Sequence, residues 1–377
     1  MSKRANGEGT VFRRADGSWS GALSYKDPDG VSKRRTVYGK TQAEVRAKLK
    51  EARERLDTGA PVKDAAMTVA AWLTEWTTKA LPASDRKQAT KDLYTTIVRA
   101  HLVPVLGRYT LERLRPSDVE ALIVAKREAG LSTSTVRTIY SVLRAALDIA
   151  VRDGLVRRNV AVAVKRPAVE RRDAAYLSGE QAQRLLDVIR DDRLEALYRL
   201  MLATGLRRGE ALAVHWQDVD LDGGALRVRW TLSRTSRGLE VGEPKTERSR
   251  RTVPLPRAAV EALRAHRTRQ LAERLVCASV WQDAGLVFCT EVGGLLEPRN
   301  VLRRFDALAL RAGLEGVHLH TLRHSAASFL LAAGTHTKVV QEQLGHSSYA
   351  ITADIYSHVA PAQAREAADR MDEALQW

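Results

Sequence analysis

The sequence is poor in cysteine and has no long apolar run, and both shortages exclude classes of protein. Cys277 and Cys289 have neither the spacing nor the partners of a metal-binding motif, so we expect reduced, structural thiols in a cytoplasmic protein. No apolar stretch approaches the roughly 18 residues that cross a bilayer, and no membrane contact is expected. The first residues lead into glycine and charge, so a signal peptide is not expected either.

Acidic residues are fewer than basic ones. The chain has 61 Lys and Arg against 45 Asp and Glu, a net charge of +16, and a sequence pI near 10.1. This balance predicts a polyanionic partner, although composition alone does not distinguish DNA from RNA or an anionic membrane surface. A length of 377 residues with 44% hydrophobic residues predicts two or three domains with packed cores.

Residues 1–60 are predicted to form a small basic unit of three short strands and a helix. Asp16-Gly17 and Asp29-Gly30 supply the turns between the strands, and residues 41–57 show helical periodicity. The basic residues expected to contact DNA on this sheet are Arg13, Arg14, Lys33, Arg34 and Arg35. The alternative is a solvated edge whose charges discourage strand pairing.

Residues 66–165 are predicted to form a compact unit of four helices. Val69, Trp72 and Trp76 lie on one apolar helix face, and Ser117 with Glu120 fits a capping box. A basic linker follows, and the residues in it that we expect to contact DNA are Lys165, Arg166, Arg171 and Arg172. This linker suits a hinge that lets two domains close around a duplex, or it is a solvated spacer.

The third segment, residues 176–377, mixes helices with a strand pair near 225–230 and 250–255, and Ser178 with Gln181 caps its first helix. The fold class predicted for the chain is therefore multidomain α+β. It comprises a small three-stranded sheet with a helix, a helical bundle, and a mainly α domain with a small β-sheet.

Six polar residues in the third segment could together cut and rejoin a phosphodiester. They are Arg207, Lys245, His320, Arg323, His346 and Tyr356. A tyrosine that attacks phosphorus keeps the bond energy in an aryl phosphate ester, which a new 5′-hydroxyl can reverse. Each residue alone is more often a solvated or packed side chain. Their joint occurrence, in this order, points to a catalytic site.

The chemistry divides among these residues by type. Guanidinium groups match phosphate oxygens, so Arg207 and Arg323 would stabilise the charge of the transition state. His320 would accept the proton of Tyr356, whose phenol has an ordinary pKa near 10. Lys245 would protonate the leaving oxygen, and His346 would hydrogen-bond a non-bridging oxygen. No carboxylate cluster suggests a metal, and no cofactor is expected.

The third segment resembles the catalytic domain of tyrosine recombinases of the phage-integrase type. The resemblance is carried by Thr204-Gly205-Leu206-Arg207 with Glu210, by Pro244-Lys245-Thr246 before Arg251-Thr252-Val253-Pro254-Leu255, by His320-Thr321-Leu322-Arg323-His324, by Leu344-Gly345-His346 and by Tyr356. Arg248, Arg250 and Arg251 crowd Lys245, so which basic residue near this hairpin acts is left open.

The resemblance implies a site-specific recombinase that integrates and excises a mobile element through a 3′-phosphotyrosine intermediate and a Holliday junction. It also implies an arm-type DNA-binding domain in 1–60, a core-binding domain in 66–165 and a catalytic domain in 176–377. The expected partners are double-stranded core and arm attachment sites, a tetramer of this chain on DNA, a DNA-bending host factor and a directionality factor. The expected location is the cytoplasm, in association with the nucleoid.

Three other functions remain possible from the sequence. A type IB topoisomerase uses similar chemistry, a dimer-resolving recombinase shares the catalytic domain, and a silent regulator could keep the fold without activity. The apolar stripe on the final helix, in relatives, packs against a neighbouring protomer, and docking on its own domain is the alternative. This stripe comprises Ala364, Ala367, Ala368, Met371 and Leu375.

Overall fold

A computed structural model describes residues 10–26, 32–57, 67–169, 175–244, 249–345, 371–372 and 374–375. The chain divides into two compact units, Met1–Arg171 and Arg172–Trp377. In the described part of the chain, no helix has the length and apolar character needed to cross a bilayer.

The first unit begins with an antiparallel sheet in the order β1 (Thr10–Arg13), β2 (Trp19–Lys26) and β3 (Ser32–Gly39). Helix α1 (Gln42–Asp57) packs on one face of this sheet through Val45 and Leu49. A Cβ on Gly21 would lie 2.7 Å from side-chain atoms of both residues, so glycine permits this close approach. The predicted sheet and helix are both present.

A helical bundle follows in the same unit. It consists of α2 (Val69–Glu75), which continues as a π-helical turn (Trp76–Ala80), α3 (Gln88–Ile97), a second π turn (Val98–Leu102), α4 (Val103–Leu106), α5 (Pro116–Glu128) and α6 (Thr133–Arg152). Trp72 is 3% exposed and donates from Nε1 to the carbonyl of Ala146 at 3.1 Å, which joins α2 to α6. The segments form four helical rods, as predicted.

The start of α5 differs from the predicted capping box. The N-cap is Arg115, and its backbone N–H donates to Asp118 at 2.8 Å, so Ser117 and Glu120 do not form the box. The reason is Pro116, which occupies the first helical position because its missing N–H is not needed there. The cap therefore lies two residues earlier than predicted.

In its described residues, the second unit is mainly helical and has two small sheets. Its helices are α7 (Gly179–Val188), α8 (Glu195–Thr204), α9 (Arg208–Ala211), α10 (Arg257–Cys277), α11 (Pro298–Arg311), α12 (Thr321–Ala332) and α13 (Thr337–Leu344). Its strands are β4 (Val219–Asp220), β5 (Ala225–Val228), β6 (Thr231–Thr235), β7 (Gly238–Gly242) and β8 (Arg251–Pro254). The strands pair in the orders β4-β5-β8 and β6-β7, which includes the predicted pair.

Two local features of the second unit fix the start of α7 and the position of α12. Ser178 and Gln181 form the predicted capping box, with bonds of 2.9 and 3.1 Å, at the start of α7. Helix α12 packs against α8 and α13, with Ala327 and Leu331 among its buried residues. The fold class is the predicted α+β arrangement.

Candidate active site

Arg207 is positioned by the tight turn between α8 and α9. Gly205 ends α8 in the left-handed conformation, with φ of 66°. Arg207 is the N-cap of α9, and Glu210 accepts hydrogen bonds from its backbone N–H at 3.0 Å and from its Nη1 at 2.7 Å. The Glu210 side chain is only 3% exposed, whereas that of Arg207 is 39% exposed. A buried carboxylate thus holds a guanidinium group that still reaches solvent.

Arg323 lies in the first turn of α12 and is 3% exposed. Its Nη1 donates to the carbonyl of Gly205 at 2.6 Å, and its Nη2 donates to the carbonyl of Leu344 at 2.8 Å. Arg207 donates from Nη2 to the next carbonyl, that of Gly345, at 2.7 Å. The structure therefore brings together the two arginines that the sequence predicted as phosphate ligands.

The protonation states of this cluster favour an anionic ligand. Burial and the charge of Arg207 lower the pKa of Arg323 to about 9, so Arg323 stays cationic at neutral pH. Burial alone would raise the pKa of Glu210, but Arg251 and Arg207 outweigh it and lower this pKa below the ordinary value. Glu210 is therefore ionised, and the arginines exceed it in charge.

His320 is the N-cap residue of α12 and is exposed. The surrounding protein atoms partly desolvate its ring, and this desolvation lowers its pKa most. The charges of His324 and Arg323 lower it further, to about 4. A neutral imidazole at pH 7 can accept a proton. Its ring meets that of His324 edge to face, with centroids 4.7 Å apart. The Nδ1 atom of His324 is buried without a hydrogen-bond partner among the described residues.

Arg251 is a site residue whose role the sequence left open. Its side chain is 7% exposed, and it donates to Glu210 at 3.0 Å, to the carbonyl of Gln343 at 2.6 Å and to that of Ser249 at 3.1 Å. The neighbouring Arg250 is 54% exposed and pairs with Glu243. Strand alternation is the signal that could have separated them, because Arg251 lies two residues before a fully buried Val253.

Three of the six predicted catalytic residues, Lys245, His346 and Tyr356, lie outside the described residues, as does most of the final helix. Lys245 follows β7 and precedes β8, and His346 follows Gly345 directly. In the described part of the predicted final helix, Met371 and Leu375 are 58% and 46% exposed.

The predicted DNA-contact residues of the first unit do not share one face of the sheet. In the strand register, Arg13 lies opposite Trp19 and Arg35 lies opposite Leu23. Both arginines are therefore on the face of the sheet that packs against α1. Arg34 pairs with Ser24 on the opposite face. Of the others, Arg14 is exposed and pairs with Asp16, Lys33 lies in β3, Lys165 and Arg166 are exposed, and Arg171 and Arg172 lie outside the described residues.

Residues 175–363 match the phage integrase family, and this match covers half of the chain. A tyrosine recombinase XerC-like protein of Caldanaerobacter subterraneus subsp. tengcongensis is 29% identical, over 92% of this chain and 94% of its own length. A structure of the Tn1549 transposon integrase in complex with a circular intermediate DNA has a TM-score of 0.65 and 20% identity, and it covers 80% of this chain and 99% of that one. A lambda integrase tetramer bound to a Holliday junction has a TM-score of 0.58 and 19% identity, over 94% and 96%.

The family match and the tyrosine recombinase relatives place the chain among the enzymes that break and rejoin DNA. The chain belongs to the phage integrase family. It is a tyrosine recombinase that acts on DNA at specific sites, and the predicted family, fold class and enzyme class are confirmed.

Proposed function

We propose that this recombinase is a lambda-like integrase that moves a mobile element into and out of DNA, with Tyr356 as its nucleophile. The observation that carries the proposal is the convergence of Arg207 and Arg323 on the turns at Gly205 and Gly345, beside a neutral His320. Each guanidinium group has five N–H donors. Only two side-chain donors of each are engaged by described residues, so others are available to a phosphate.

The proposed step conserves the phosphodiester energy. The phenolic oxygen of Tyr356 attacks the scissile phosphorus, the bond from phosphorus to the 5′ oxygen breaks, and a 3′-phosphotyrosine forms. His320 accepts the phenolic proton, and Lys245 gives a proton to the departing 5′ oxygen. Arg207, Arg323 and His346 stabilise the charge on the non-bridging oxygens, and each such donor is worth roughly 2.7–4 kcal/mol. A 5′-hydroxyl of the partner duplex then reverses the step, which leads through a Holliday junction.

The domain assignments remain proposals that the architecture supports. The sheet with α1, residues 1–60, would bind arm sites, the bundle in 66–165 would bind core sites, and 176–377 would cut DNA. On the face of the sheet opposite α1, Phe12 and Tyr38 are 47% and 54% exposed. With Arg34 on the same face, these aromatic residues fit a surface that enters a groove.

The partners are proposed from the same relatives. The lambda integrase seen on a Holliday junction is a tetramer, which supports assembly of four copies of this chain on two DNA sites. A DNA-bending host factor and a directionality factor would complete the complex. Such an enzyme would work in the cytoplasm, associated with the nucleoid. The final helix would dock on a neighbouring protomer or on its own domain.

A covalent-trapping assay tests the proposed chemistry. Wild-type and Tyr356→Phe protein are incubated, in EDTA, with nicked DNA from the ends of the mobile element that carries the coding sequence. The nick lets the 5′-hydroxyl fragment diffuse away, so cleavage is trapped. We expect a protein–DNA adduct on a denaturing gel with the wild type alone.

The outcomes separate the candidate functions. An adduct that needs Tyr356 and survives EDTA would establish metal-independent tyrosine chemistry and map the cut. Site-specific binding by both proteins with no adduct would favour a silent regulator. Relaxation of supercoiled DNA without a partner site would favour a topoisomerase.

A further inference from the structure

The C-terminal end of α13 is held by three arginines at once. The carbonyl groups of Gln343, Leu344 and Gly345 accept hydrogen bonds from Arg251 at 2.6 Å, Arg323 at 2.8 Å and Arg207 at 2.7 Å, in that order. The last carbonyls of a helix have no partner within the helix and carry partial negative charge. Three guanidinium groups satisfy both needs here, and the segment that starts with His346 follows immediately.

Arg251 differs from the other two arginines because all three of its nitrogens already donate to protein oxygens. They reach α9 through Glu210, the end of α13 through Gln343, and the chain just before β8 through Ser249. Its side chain is 7% exposed, compared with 39% for Arg207. This geometry suits a residue that holds other groups in place rather than one that contacts DNA.

The charge on Arg251 also affects Arg207. Glu210 is shared between these two arginines through its two carboxylate oxygens, at 2.7 and 3.0 Å. Three arginines and one carboxylate leave two net positive charges for a phosphate. Without Arg251, Glu210 would neutralise Arg207 alone, and one net positive charge would remain. Arg251 therefore doubles the net positive charge that this cluster offers to a phosphate.

We propose that Arg251 is a positioning residue for DNA cleavage, which binds Glu210 and the end of α13 with one guanidinium group. It fixes the orientation and the available charge of Arg207, and it fixes the start of the segment that carries His346. The inference rests on the proposed recombinase chemistry. A lysine cannot replace it, because a single ammonium group cannot reproduce the planar fork that reaches three separate segments.

The test compares Arg251→Gln and Arg251→Lys with a matched control, Arg264→Gln. Arg264 is also an ion-paired arginine of this unit, 55% exposed and 2.6 Å from Asp222, but it lies on α10 away from the cluster. The nicked DNA described above serves for both binding and adduct formation. At saturating DNA we expect Arg251→Gln to lower the rate of adduct formation by about 100-fold, with the Kd within about threefold of wild type. The control should match wild type.

A lysine variant and a second substitution separate positioning from folding. Arg251→Lys keeps the charge and the buried stem, so it should fold, with an unchanged circular dichroism spectrum, yet cleave at about a tenth of the wild-type rate or less. The double variant Glu210→Gln, Arg251→Gln should lose less cleavage rate than the product of the two single fold-losses. The reason is that the negative charge which Arg251 offsets is absent from the double variant. Guanidinium chloride, well below denaturing concentrations, should partly restore cleavage by Arg251→Ala.

Three results would overturn the inference. Wild-type cleavage by Arg251→Lys would show that a charge alone suffices. Multiplicative effects of the Glu210 and Arg251 substitutions would show that the two residues act independently. Equal losses of binding and cleavage in Arg251→Gln would make Arg251 a DNA ligand. A wild-type chain that forms no adduct would remove the proposed chemistry and the inference together, so the two failures are distinguishable.

Discussion

The replacement Gly205→Ala should destabilise the second unit more than loss of a glycine normally does. Gly205 has φ of 66°, where an L-residue costs roughly 1–2 kcal/mol. A Cβ at this position would lie 2.2 Å from Cδ2 of Leu344, whose side chain is fully buried. Overpacking of this kind costs about 1–3 kcal/mol. We therefore expect a loss of about 2–5 kcal/mol, measured by urea denaturation of the full chain.

Gly313→Ala is the matched control for the backbone effect. Gly313 has φ of 69°, and a Cβ there would meet nothing within 4 Å. It should lose only the conformational contribution of about 1–2 kcal/mol. Equal losses at the two glycines would refute the reasoning, because the contact with Leu344 would then have no energetic effect.

Gly205→Ala should also reduce DNA cleavage. The carbonyl of Gly205 accepts the 2.6 Å hydrogen bond from Arg323, so a shift of this turn moves a predicted phosphate ligand. Adding Leu344→Ala removes the clash, and the double variant should lose about 1–3 kcal/mol less than the sum of the single losses. Additive losses would show that the alanine at 205 does not meet Leu344.

Four further outcomes are expected. In the pH profile of adduct formation, kcat/KM should decline on the acid side near pH 4, where His320 becomes protonated. The ordinary pKa of a histidine, about 6.5, would place this decline at a much higher pH. Because the unfolded chain is protonated first, acidification from pH 6.5 to 4 should destabilise the wild type more than His320→Gln. Trp72→Phe should lose about 0.5–1.5 kcal/mol in urea denaturation, because it removes the indole N–H that donates to the carbonyl of Ala146. Deletion of 1–60 should spare cleavage of a preformed core site and impair integration, and normal integration would refute the arm-binding role.

Local patterns predicted much of the fold because their causes lie within a few residues. The box at Ser178 and Gln181 follows from one residue's hydroxyl and another's amide three positions later. The same reasoning placed the α5 cap at Ser117, two residues late, because Pro116 sets the helix start and was given less weight than the hydroxyl. The bond that forms instead runs from the Arg115 N–H to the carboxylate of Asp118, at the third helical position.

The site was predictable in residue type but not in its contacts. Arg207 and Arg323 were predicted because guanidinium groups suit phosphate, and the sequence kept them in a recognisable order. Their acceptors, however, are backbone carbonyls at Gly205, Leu344 and Gly345. Every residue has a backbone carbonyl, so such acceptors leave no trace in the sequence. The tertiary fold alone decides which carbonyl meets which arginine.

Each of the two predicted phosphate ligands, Arg207 and Arg323, hydrogen-bonds backbone next to a residue that the other arginine depends on. Arg323 binds the carbonyl of Gly205, two residues before Arg207, while Arg207 binds the carbonyl of Gly345, next to the Leu344 carbonyl that Arg323 also binds. The separation of the two guanidinium groups is thus set by the backbone before any DNA arrives. Donors fixed in this way need no reorganisation when charge develops on a phosphate, which is how preorganised sites lower a barrier. DNA should therefore find the arginines already in place.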